Sequence, residues 1–183
     1  RDETITAIKT KMMEISQAMT DNSLSVENYV ITKQLTRSLE QYSDAAKLPH
    51  VAVALRASKR GKLVRAGDVI EFVMTSSDTT KSGTQSDRAV SKNDYIAFLR
   101  HMKQQEDLLS RTGNSVDTNA LQPYLDYPLD MKIDLIYYKE QQLLAPIMRL
   151  VDVIEEVSQS MLADCLGLDT AKYALRERTL NNS

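Results

Sequence analysis

The stretch Lys132–Val151, KIDLIYYKEQQLLAPIMRLV, decides how the rest of the chain is read. Asp134 stands just ahead of its apolar pattern. An Asp there accepts backbone N–H groups that the first helical turn leaves without partners. At ~100° per residue, Ile136, Tyr137, Leu143, Leu144, Ile147, Met148, Leu150, Val151 and Ile154 fall on one broad face. Tyr138, Gln141, Gln142, Arg149 and Asp152 fall opposite. The apolar period runs on past Pro146. The proline removes one ladder hydrogen bond, so a kink is expected rather than a helix end. Glu140 is the misfit. It lies ~40° round from Ile136, inside the apolar face, where an unpaired carboxylate is costly. The expectation is a buried Glu140 whose partner comes from another element: a Tyr hydroxyl, a backbone N–H or an Arg. Lys139 is expected to point elsewhere. The alternative is a split apolar face with Glu140 in a solvated gap.

A chain of 183 residues, 42% apolar and 26% charged, fits one soluble domain or a domain with a small lobe. No apolar run approaches the ~20 residues of a membrane-spanning helix. The first residue is Arg1 and nothing resembles a signal peptide, which predicts a segment of a longer polypeptide. A lone cysteine, Cys165, excludes an internal disulfide and suits a reducing compartment. Its apolar surroundings read as a buried structural thiol, not a nucleophile.

The net charge of −2 hides an asymmetry. Residues 31–65 hold eight bases and two acids, a surplus of six positive charges. Residues 126–164 hold eight acids and three bases, a surplus of five negative charges. A molecule so divided can hold a polyanion on its basic part alone; the plain alternative is two solvated faces.

Upstream, Ile5, Ile8, Met12, Ile15 and Met19 recur at spacings of three and four, predicting a helix over Asp2–Met19 that stops at Asp21-Asn22-Ser23. Tyr29–Leu35 and Asp68–Thr75 are β-branched and apolar enough to be strands, expected to pair antiparallel. Between them, Pro49 opens a helix to Ser58, followed by the basic turn Lys59-Arg60-Gly61-Lys62. Residues 76–87 are polar and without period, so a mobile loop is expected. Ser91–Leu109 reads as helix, with Tyr95, Phe98, Leu99, Met102 and Leu109 on a stripe. Thr112–Thr118 is a polar break, and Pro123 and Pro128 bracket an extended lead-in to the central helix. A last helix covers Ser158–Leu166 and stops at Gly167. The fold class expected is mainly α, with a small two-stranded antiparallel β element at the base of a helical body.

Several runs, in one order, carry a resemblance. They are Tyr29-Val30-Ile31-Thr32-Lys33-Gln34-Leu35-Thr36-Arg37, Leu48-Pro49-His50-Val51-Ala52-Val53-Ala54-Leu55 and Arg65-Ala66-Gly67-Asp68-Val69-Ile70-Glu71-Phe72-Val73. The central run Ile133-Asp134-x-x-Tyr137-Tyr138-x-Glu140-Gln141-Gln142-Leu143, with Pro146 and Arg149, follows. Leu162-Ala163-Asp164-Cys165-Leu166-Gly167-Leu168-Asp169 closes the set. Together they resemble the thumb of family B DNA polymerases, most closely its alpha branch. Arg88-Ala89-Val90 matches that branch's R-A-Y element loosely, Val90 departing from it, and residues 91–128 show no further recognisable run and read as an insertion. The resemblance implies a single thumb domain over residues 1–175, with 76–125 as a mobile loop plus inserted helix and 176–183 as a frayed tail.

Such a thumb grips the minor groove of a primer–template duplex, RNA–DNA or DNA, through its phosphates and without reading bases. By position, the residues implied are Lys33, Arg37, Arg56, Lys59, Arg60, Lys62, Arg65 and Arg88, with His50 either a contact or a capping and packing residue. Nucleotidyl transfer in this family needs paired palm carboxylates, in a D-T-D motif, holding two divalent metals. No D-T-D, metal-ligand spacing or phosphate-cradling glycine motif occurs here. The segment is therefore expected to hold no cofactor and to be inert alone, with Mg²⁺ in the palm of the parent enzyme. The other implied partners are that palm, primase and accessory subunits; the implied location is nuclear, away from membranes. A different class of reading is a helical protein-interaction module of a larger nuclear protein, docking through its acidic part or residues 76–125.

Overall fold

The computed structural model describes residues 2–44, 47–79, 83–113 and 127–174. The chain divides into two compact units, Arg1–Ser25 with Asp134–Ser183, and Val26–Ile133. It is mainly helical with one small antiparallel sheet. Pro123 and the 176–183 tail lie outside the described residues.

In the unit Val26–Ile133, the sheet is built round β2 (Val69–Ser76). Strand β1 (Ile31–Gln34) pairs antiparallel with it, Ile31 opposite Phe72 and Gln34 opposite Val69. Gly67 makes the bend before β2 at φ +92°, a left-handed conformation that an L side chain resists. Its N–H donates to the Leu35 carbonyl at 2.7 Å, closing the pair. Two short strands join the expected two. β3 (Ala89–Ser91) aligns Val90 with Val73, and β4 (Lys132–Ile133) aligns Ile133 with Thr75.

Helix α2 (Pro49–Lys59) has Pro49 in its first turn, where a missing N–H costs nothing. Val51 and Ala54 turn inward and join Leu35 in a core flanked by Leu39, Tyr42, Leu48, Val64 and Ile70. The helix ends at Arg60, and Gly61 takes φ +87° just beyond it. In the polar run after β2, the short helix α3 (Gln85–Arg88) appears where a loop is expected. Its reason is a capping box: Thr84 Oγ1 accepts from the Asp87 N–H, and the Asp87 carboxylate accepts from the Thr84 N–H. Residues 77–79 are gathered round the Asp130 carboxylate, which accepts from Ser77 Oγ at 2.6 Å and from the Asp78 and Thr79 N–H groups. The Ser77 hydroxyl foremost, with the other donors, holds that carboxyl well below the usual range.

Helix α4 (Lys92–Thr112) is N-capped by Ser91 and closed by Gly113 in the left-handed region. Only its first turns go inward, through Tyr95 and Phe98; Leu108 and Leu109 are exposed.

In the other unit, α1 (Asp2–Thr20) buries Met12 and sets Ile5 and Ile8 against a core that includes Leu144, Val151, Leu162, Leu166 and Tyr173. Ser16, buried on α1, donates to the Leu166 carbonyl at 2.9 Å. The central stretch is a helix of three parts. α5 (Leu135–Tyr137) is capped by Asp134, which accepts from the Tyr137 N–H at 3.0 Å as expected. A π-helical segment, Tyr138–Leu144, follows, then α6 (Ala145–Val151). Pro146 explains the sequence of parts. A proline ring clashes with the carbonyl four residues back, here Gln142. Widening the turns ahead of it, so that the Ala145 N–H reaches Glu140 five residues back, relieves that crowding.

The wider turn changes which residues face in. Lys139 and Leu144, five apart, are both buried, and so is Tyr138, which a regular α-helix would leave on the polar face. Ile136 and Leu150, expected inside, are exposed. Lys139 therefore does not point away from the core, and burial pushes its ammonium below the ordinary lysine value. Glu140 is 22% exposed, and its carboxylate accepts from Tyr173 Oη at 2.8 Å and from Lys172 Nζ at 2.8 Å. The expected outside partner is thus a Tyr hydroxyl, with a lysine beside it, on a half-buried carboxylate.

Helix α7 (Gln159–Cys165) is capped by Ser158, whose hydroxyl accepts from the Met161 N–H. It stops at Gly167 (φ +66°), where Leu168 N–H reaches Ala163 and Gly167 N–H reaches Asp164. That pair of bonds is a Schellman ending. Cys165 is half-buried, and burial raises its thiol pKa, consistent with an unreactive group.

Candidate nucleic-acid interface

Every cation singled out from the sequence belongs to the unit Val26–Ile133. Lys33 is exposed on β1 and Arg37 just beyond it. The Arg37 guanidinium lies 5.1 Å from the centre of the Tyr42 ring, which gives the flexible side chain a platform. Lys59 closes α2, and Lys62 and Arg65 follow on the link to β2; all three are exposed. The Arg65 backbone N–H donates to the Asp68 carboxylate at 2.8 Å, which fixes the turn while leaving the guanidinium outside. These cations sit on backbone held by β1–β2 pairing and by the α2 core, a rigid mounting for charge.

Three other candidates are tied into the body. Arg56 is half-buried and donates to the carbonyls of Ser86 and Ala89, so it fastens α2 to α3 and β3. Arg88 is half-buried at the end of α3, and its carbonyl accepts from Thr75 Oγ1 at 2.8 Å. Arg60 donates to Asp94 Oδ2 at 2.7 Å and to Tyr127 Oη at 3.1 Å. Tyr127 in turn donates to the same Asp94 oxygen at 2.9 Å. Burial works against the Arg60 charge, yet Tyr127 and Asp94 outweigh it and raise its pKa above the ordinary value. Burial first, and Asp94 second, push the Tyr127 phenol up.

His50, the second residue of α2, meets the edge of the Tyr42 ring at 6.4 Å between centres. Burial, and then the Lys33 charge, lower its pKa, so it is neutral at physiological pH. Its environment is that of a packing residue.

Sequence reasoning did not pick out Asp94, Tyr127 or Asp130. Asp94 was legible in part: Ser91-x-x-Asp94 is a capping pattern, and the Asp94 N–H does donate to Ser91 Oγ at 3.1 Å. Nothing local marks Tyr127 or Asp130, whose partners lie over thirty residues away.

Among the described residues, no group of three or more His, Cys, Asp or Glu could hold a metal ion, and no helix is long and apolar enough to cross a membrane.

One unit carries cations on the strands and turns of a small sheet, and the other is built round a Pro-interrupted helix. The sequence pattern of DNA polymerase family B matches residues 1–154, and the chain belongs to that family. It is similar to the DNA polymerase alpha catalytic subunit of Oryza sativa subsp. japonica, 32% identical over 179 residues, covering 96% of this chain and 10% of that protein. The DNA polymerase alpha catalytic subunit of Drosophila melanogaster is 28% identical over 173 residues, covering 94% and 10%. That of Xenopus laevis is 28% identical over 174 residues, covering 94% and 10%. The chain spans about a tenth of the length of the curated relatives it matches.

Proposed function

We propose that residues 1–175 act as the thumb of a replicative DNA polymerase of the alpha type, holding the primer–template duplex behind the site of templated nucleotidyl transfer. The observation that carries this is the exposed set Lys33, Arg37, Lys59, Lys62 and Arg65, all on one unit and all on backbone fixed by hydrogen bonds. Point charges on a rigid frame suit phosphates, which every duplex presents at the same spacing whatever its sequence. An RNA primer makes the duplex A-form, whose wide minor groove offers backbone and 2′-hydroxyls to such a surface. The parent enzyme supplies Mg²⁺ through its palm, and primase and accessory subunits bind elsewhere on it, in the nucleus. This segment supplies grip and no catalysis.

Binding of the pure chain to RNA-primed and DNA-primed templates of unrelated sequence tests the proposal. The expected Kd is no tighter than about 10⁻⁴–10⁻⁶ M at physiological salt, equal across sequences, and steeply weaker as salt rises. Binding that discriminates between sequences, or that ignores salt, contradicts it.

A further inference from the structure

One cation of the basic turn is treated differently from its neighbours. Lys59, Arg60 and Lys62 are all exposed, but the Arg60 side chain, 38% exposed, is held in a triangle with Asp94 and Tyr127. Both partners come from residues 91–128, which carry none of the runs on which the resemblance was read, although they lie inside the span that the family pattern matches. The triangle is firmly mounted. Asp94 lies in the first turn of α4, and Tyr127 is buried, its hydroxyl bonded to both partners and its ring centre 5.6 Å from the Arg60 guanidinium. A single oxygen, Asp94 Oδ2, accepts from both the guanidinium and the phenol, so Tyr127 orients the carboxylate toward Arg60. The three residues stand at a cleft of about 520 Å³, which Lys62 and Lys92 also line.

We propose that Asp94, aimed by Tyr127, withholds Arg60 from the duplex phosphates and so weakens the thumb's grip. This rests on the duplex-binding reading and adds a role for residues 91–128. The argument is electrostatic. A phosphate that approaches Arg60 meets the Asp94 carboxylate within about 3 Å of the guanidinium, and must either tolerate a like charge or displace it. An arginine already neutralised by a carboxylate adds little to the release of counterions on which this binding depends. A polymerase thumb must hold its duplex and also let it slide, so a surface with one cation subtracted serves it better than the strongest possible grip.

The salt dependence of primer–template binding reads this directly, because each phosphate contact on a B-form duplex adds ~0.9 to the slope of log K against log salt. Four proteins are compared on a DNA-primed template: the unaltered chain, Asp94→Asn, Arg60→Ala, and the two changes together. Asp94→Asn is expected to bind several-fold tighter with a slope steeper by ~0.9. Arg60→Ala alone is expected to leave the slope unchanged, and added to Asp94→Asn it is expected to cancel the gain. Tyr127→Phe, which keeps all charges, is expected to move in the same direction as Asp94→Asn by less. It also covers the case in which Asp94→Asn disturbs folding, checked by circular dichroism.

An unchanged or shallower slope in both Asp94→Asn and Tyr127→Phe overturns the proposal, as does a gain that survives Arg60→Ala. Salt-dependent binding by the unaltered chain combined with either of those results leaves the duplex reading standing and removes only this inference. Binding seen only after Asp94→Asn supports withholding and contradicts grip by the unaltered chain. Absence of binding in all four proteins overturns both.

Discussion

In the unit Val26–Ile133, Lys33 on β1, Lys59 at the end of α2, and Lys62 and Arg65 on the link to β2 keep their charges in water, while the core of Leu35, Val51 and Ala54 is apolar. In the unit of Arg1–Ser25 and Asp134–Ser183, charge is drawn in: Lys139 is buried and Glu140 is half-buried under Tyr173 and Lys172. Exposed cations give little stability but are free to meet a polyanion. Buried charge does the reverse, being useless for binding and decisive for stability if its partner is lost. On the proposed reading, the first unit is the one suited to contact. Within the second unit, the central helix with its π-helical segment buries Tyr138 and Lys139 and leaves Ile136 and Leu150 outside.

The comparison breaks most visibly at Glu140. Replacing it by Ala orphans the Tyr173 hydroxyl and Lys172 ammonium, and is expected to lower stability by roughly 1–3 kcal/mol in denaturant unfolding. Glu140→Gln keeps one acceptor and is expected to lose less. Neither change is expected to alter primer–template affinity; a matching loss of affinity would mean that the two units do not divide the work as described.

A smaller effect sharpens the other side. His50 has a pKa lowered in the folded state by burial and by Lys33. Protons then bind the unfolded chain more readily, so this contribution to stability is complete above the unfolded value of ~6.5 and is lost as pH falls through the lower folded value. Unfolding curves between pH 7.5 and 5 are expected to show that loss, and His50→Gln is expected to flatten it. An identical pH dependence in the variant would mean that His50 is not held neutral by its surroundings.

Much of this was legible in the residues. Patterns with clear causes came through: the Asp134 cap, Pro49 in the first turn of α2, the Gly167 ending, and the antiparallel pairing of the first two strands. The misfit of Glu140 in an apolar face pointed correctly to a hydrogen bond from another element. What failed had two physical sources. A fixed turn of ~100° per residue cannot see a π segment, so Lys139, Tyr138 and Leu150 were placed on the wrong sides. Long-range polar contacts leave no local mark. Polarity alone made residues 76–87 a loop, although Asp130 fastens 77–79 and Thr84 with Asp87 caps a helix. The same blindness put Arg56 and Arg60 in one class with Lys59, when their guanidinium groups are engaged by Ser86, Ala89, Asp94 and Tyr127.

The central claim is that the exposed cations of the unit Val26–Ile133 carry the grip. Its most direct test is the salt slope of primer–template binding for the unaltered chain against Lys59→Ala, Lys62→Ala and Arg65→Ala combined, with Lys9→Ala, Lys11→Ala and Arg149→Ala in the other unit as the charge-matched control. The account predicts that the first triple change reduces the slope by up to ~2.7 on a B-form duplex, while the control leaves it nearly unchanged. Equal reductions by both triple changes, or none from the first, would contradict it.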